Sequence, residues 1–83
     1  MAIFLGVHDF GSAMSEEQSK ANWEKYSESA RKHGAEPLKV FYNAGEGKAY
    51  CITEAESADV VNEAHNAVEL PTKELHEVKK LKS

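Results

Sequence analysis

The sequence predicts an α+β domain whose elements run in the order βαββαβ. Three observations carry this expectation: short stretches with apolar residues at alternate positions, two longer stretches with apolar residues at three- and four-residue steps, and glycine, proline or serine at the junctions between them.

The first strand is residues 2–8, where Ile3, Leu5 and Val7 alternate with Phe4, Gly6 and His8. Gly11 and Ser12 turn the chain. Ser15-Glu16-Glu17-Gln18 then has the S-x-x-Q form of a capping box and starts a helix. Trp23, Tyr26, Ala30 and His33 fall on one face of that helix, and Gly34 is placed to end it. Pro37 opens a second strand through Leu38, Val40 and Tyr42. Asn43-Ala44-Gly45-Glu46-Gly47 is a hairpin loop, and a third strand runs from Lys48 to Glu54. Ser57 caps a second helix with Val60, Val61, Ala64 and Val68 on its apolar face. Pro71 stops it, and Lys73 to Leu81 reads as the last strand.

This order is the split βαβ, ferredoxin-like arrangement, with an antiparallel sheet ordered 4-1-3-2 and both helices on one face. The open face is expected to carry Phe4, Phe41, Tyr50 and Ile52, with His8, Lys39, Lys48 and Glu54 as its polar members. An apolar face this large on 83 residues predicts a partner, and a homodimer closed as an α+β barrel is the expected form.

Residues 1–83 are expected to form one domain. The formal net charge of −4 and basic residues that are scattered apart from Lys79, Lys80 and Lys82 argue against nucleic acid as the main partner, because phosphate binding needs a clustered positive surface. No segment approaches the ~20 apolar residues of a membrane helix, and the apolar start at residues 1–7 lacks a basic flank for a secretory signal. One cysteine forms no internal disulfide, which agrees with a reducing compartment; a cytoplasmic location is expected.

The topology brings histidines together. His8 falls at the end of the first strand, His65 in the last turns of the second helix and His76 in the first half of the last strand, all toward one end of the fold. Asp9, Tyr50 and Glu16 are near that end, and His33 is at the other. Imidazole with carboxylate or water suits nickel, zinc, copper or cobalt, with uptake weakening as the imidazoles protonate near pH 6. Cys51, mid-strand, has no local feature that lowers a thiol pKa and reads first as a small packed hydrophobe; turned into a metal-lined cavity, its thiolate would favour a softer ion. Glu54, Glu56 and Asp59 suit a helix N-terminus, and Glu54 is also a candidate supporting ligand.

Lys48-x-Tyr50-Cys51, Glu54-Ala55, Ala64-His65, Pro71 and Glu77-Val78 together resemble the small DUF4242 family of nickel-binding protein-like proteins, over nearly the whole chain. The resemblance implies a ferredoxin-like fold, a dimer and divalent metal binding with nickel as the named case, and it implies no enzymatic reaction. Tyr50, Cys51 and His65 match the family pattern best. His8-Asp9, the hairpin at residues 43–47 and Glu69, at a position often held by glycine, depart from it. The leading expectation is a homodimeric protein that binds a divalent transition metal through His8, His65 and His76, with Asp9, Glu54, Tyr50 and Cys51 as further candidates. The competing readings are a small barrel enzyme acting on a hydrophobic molecule, with His65 or His76 as general base and a pocket of roughly 300 Å3, and a structural association module. The apolar sheet face and the absence of a compact catalytic motif support the last of these.

Overall fold

The computed structural model describes residues 1–82 as β1 (Ala2–Asp9), α1 (Glu16–Lys32), β2 (Glu36–Asn43), a 3-10 turn (Ala44–Glu46), β3 (Lys48–Ala55), α2 (Ala58–Asn66) and β4 (Glu74–Val78). The strands form one antiparallel sheet ordered β2-β3-β1-β4, which is the expected 4-1-3-2 read from its other edge.

The helix ends follow from the residues that cap them. Ser15 Oγ accepts the Gln18 N–H at 3.0 Å, and Ser57 Oγ accepts the Val60 N–H at 3.4 Å. At the end of α1, Gly34 takes a left-handed φ of 81°, so that the Ala35 N–H reaches the Ala30 carbonyl and the Gly34 N–H that of Arg31. The end of α2 has the same pattern without the glycine. Glu69 sits at φ 58°, the Leu70 N–H reaches the His65 carbonyl at 3.0 Å, and the Glu69 N–H reaches that of Asn66 at 3.1 Å. This turn throws Leu70 and Pro71 back across β1, where the Lys73 N–H bonds the Val7 carbonyl at 2.7 Å.

One face of the sheet carries Phe4, Cys51 and Ala55 against Tyr26, Ala30, Val61 and Ala64 of the helices. The phase of β1 therefore differs from the sequence expectation. Phe4 is 4% exposed beneath the helices and His8 is buried on the same face, while Ile3, Leu5 and Val7 turn to the open face opposite Glu54, Ile52 and Tyr50. Both sides of this strand are apolar, so alternation alone does not say which goes inward. Gly6 goes with the inner side: a Cβ there would lie 2.9 Å from Cys51 Sγ and 3.0 Å from Thr72 Cγ2.

Two smaller differences have local causes. In β2 the register slips between Pro37 and Lys39, which leaves Leu38 as a bulged, exposed residue. The last strand stops at Val78 rather than Leu81, because Val78 already pairs with Ile3 near the beginning of β1 and little partner strand lies beyond.

Candidate metal centre

His8, Cys51 and His65 meet under the helices. His8 and Cys51 share the inner face of adjacent strands, β1 and β3, and His65 comes down from the last turn of α2. All three are buried, at 6%, 3% and 1% exposure, and one ligand atom from each lies within 4.8 Å of the others.

Backbone carbonyls orient the two rings. His8 Nδ1 lies 3.1 Å from the Pro71 carbonyl oxygen, and His65 Nδ1 lies 2.8 Å from that of Val61, one turn back in α2. A carbonyl only accepts, so each Nδ1 carries the hydrogen and each Nε2 presents a lone pair. Both lone pairs point at one sulfur: Cys51 Sγ is 3.3 Å from His65 Nε2 and 3.6 Å from His8 Nε2. The thiol has a single hydrogen and donates it to one ring. The Schellman turn at Glu69 matters here, because it delivers the Pro71 carbonyl that fixes His8.

Aromatic rings wall the cluster. Tyr26 stacks on His65 with centroids 3.8 Å apart and planes 16° from parallel, and Phe10 lies parallel to His8 at 5.8 Å. The Tyr26 hydroxyl bonds Thr53 Oγ1, which anchors the ring that backs His65. Burial sets the charge state of every member. It lowers the pKa of His65 to about 4, lowers that of His8, and pushes the Cys51 thiol up to about 11. The resting cluster is therefore uncharged at neutral pH: two neutral imidazoles and a thiol.

The donor set suits a transition-metal ion. Metal–sulfur and metal–nitrogen bonds of about 2.3 and 2.0 Å at a tetrahedral angle place sulfur and nitrogen about 3.5 Å apart, close to the separations found here. Backbone acceptors on both Nδ1 atoms are the usual outer partners of ligating histidines. An ion needs only to displace the thiol proton.

The remaining candidates lie elsewhere. Tyr50 and Glu54 are odd-phase neighbours of Cys51 on β3 and face the open side, as does His76, which pairs with Leu5 across β4 and β1. The His76 ring is exposed and its Nε2 is 3.0 Å from Glu74 Oε1. Asp9 is at the exposed end of β1, accepting the Gly11 N–H at 3.0 Å and facing Lys73 Nζ at 3.7 Å. The Gly11 N–H and the lysines beside it hold its carboxyl below the usual range. Residue alternation separates these side chains from the cluster. Pro71, Val61, Tyr26 and Gly6, which orient or make room for its members, carry no sequence signal of that role beyond the absent side chain at Gly6.

A cavity of about 220 Å3 opens beside the cluster, between α1 and the sheet, with His8 and Cys51 at its wall. It is smaller than the roughly 300 Å3 expected of an enzyme pocket. No helix among the described residues is long and apolar enough to cross a membrane.

A family model described as nickel responsive protein SCO4226-like matches residues 4–78. No curated protein shows a match. The fold is similar to the crystal structure of SCO4226 from Streptomyces coelicolor A3(2), with a TM-score of 0.85 and 22% sequence identity over 93% of this chain and 95% of that chain. The structural likeness speaks for the fold, and the family match spans nearly all of the elements that build the His8–Cys51–His65 cluster. The chain belongs to the SCO4226-like, nickel responsive protein family.

Proposed function

We propose that this protein binds a divalent transition-metal ion, nickel first among them, through His8 Nε2, Cys51 Sγ and His65 Nε2. The observation that supports it most is the fixed tautomer of both rings. With each Nδ1 committed to a backbone carbonyl, two lone pairs converge on a buried thiol. The nickel responsive description of the family favours nickel; the donors themselves also accept zinc, cobalt and copper.

The role is one of holding or sensing an ion rather than catalysis. His65 titrates near pH 4 and Cys51 near 11, so neither is poised as an acid or base at neutral pH. A buried free thiol of this kind belongs in a reducing compartment such as the cytoplasm. The open sheet face, with Leu5, Ile52 and the 60%-exposed Phe41, supports pairing with a second copy.

Calorimetric titration of nickel into ion-free protein tests the assignment. One tight ion per chain is expected, lost in Cys51→Ala and in His65→Ala, and retained in His76→Ala, Asp9→Asn, Glu54→Gln and Tyr50→Phe. Retention in Cys51→Ala, or loss in His76→Ala, contradicts it.

A further inference from the structure

The cavity between α1 and the sheet is built to take more than solvent. Phe10, Trp23, Tyr26 and Tyr42 bring four aromatic rings to its wall, and Val40 and Leu70 add aliphatic surface. Its inner end is closed by His8 and Cys51, both buried. Its rim is polar at Lys20, which is exposed on α1. Lys20 forms no ion pair among the described residues, whereas Lys48 stands opposite Asp9 across the sheet and attracts its carboxylate. The nearby carboxylates are already engaged: Glu16 accepts the Tyr42 hydroxyl at 2.9 Å, and Asp9 holds Gly11 and Lys73.

Size and lining select the occupant. A dry cavity of about 150 Å3 suffices for benzene, so about 220 Å3 takes one aromatic ring with a short substituent. Aromatic walls favour a flat ring in offset or edge-to-face contact. A ring so placed leaves its substituent at the rim, where the unpaired Lys20 ammonium accepts an anion. We propose that this cavity is a binding site for a small aromatic carboxylate, with the ring between α1 and the sheet and the carboxylate at Lys20. The site uses no metal ligand as a binding group and is expected in the ion-free protein, so it stands or falls separately from nickel binding.

Trp23, the one tryptophan in the chain, lines the cavity and reports its occupancy. Ion-free protein is titrated with sodium phenylacetate and, in parallel, with neutral phenylacetamide, following Trp23 fluorescence and its indole N–H resonance. Saturable changes with phenylacetate are expected, with phenylacetamide bound at least about tenfold more weakly, as the loss of a charge-assisted hydrogen bond implies. The surface variant Lys20→Gln should erase that preference without unfolding the protein, and Ala49→Leu, which fills the cavity wall, should abolish both signals. No saturable change, equal binding of acid and amide, or a preference that survives in Lys20→Gln overturns the proposal.

Discussion

His65 Nε2 lies 3.3 Å from Cys51 Sγ, with the opposite ring nitrogen tied to the Val61 carbonyl at 2.8 Å. That relationship makes the thiol the only proton an arriving ion must remove. At pH 7 metal binding should release close to one proton per ion, all of it from Cys51. Calorimetry in two buffers of different ionisation enthalpy measures the number. Affinity should rise about tenfold per pH unit from neutrality upward, until the thiol titrates near 11. The expectation that imidazole protonation near pH 6 limits uptake is revised by burial, which moves His65 down to about 4.

The same burial governs stability of the ion-free protein. His65 is neutral when folded down to about pH 4, whereas in the unfolded chain it takes a proton below about 6.5. The unfolded state thus binds more protons between these values, and stability falls as pH drops through that window. The loss is on the order of 3 kcal/mol by pH 4. Urea unfolding at pH 7 and pH 4.5 should show it, and a His65→Phe variant should flatten it. At the alkaline end the unfolded thiol ionises first, so stability should decline again above about pH 9.

Glu69 is the one non-glycine residue at positive φ among those described. Replacing it with glycine should stabilise the fold by about 0.5–1 kcal/mol, relief of left-handed strain outweighing added freedom in the unfolded chain. Glu69→Ala should give no such gain. The midpoint of urea denaturation distinguishes the two.

Gly6 leaves the space that Cys51 Sγ occupies. Gly6→Ala should cost about 1–3 kcal/mol as an overpacked core substitution, and it should also weaken ion binding by displacing the sulfur. Gly11→Ala is the control: its φ of 81° makes alanine strained, but no atom lies within 4 Å of the added methyl. It should lower stability while leaving nickel affinity unchanged.

The order of elements, the sheet order and both helix N-caps were legible because Ser15, Ser57, Gly34 and Pro71 punctuate a regular alternation. His8 and His65 were legible as neighbours from topology alone. What alternation could not supply was the phase of β1, since Ile3, Leu5 and Val7 are as apolar as Phe4 and only close contact at Gly6 distinguishes the sides. That phase decides the site. It places Cys51 and His8 on one face and sends Tyr50, Glu54 and His76 to the other. Cys51 had no local cause for a lowered pKa, and its raised value agrees; its place beside two lone pairs arises from contacts 43 and 14 residues away in the chain.

X-ray absorption at the nickel edge of the loaded protein decides whether Cys51 and the two rings hold the ion. One sulfur and two imidazole nitrogens are expected in the first coordination sphere, with the sulfur contribution absent in Cys51→Ala. A sphere of nitrogen and oxygen only, unchanged in that variant, would contradict it.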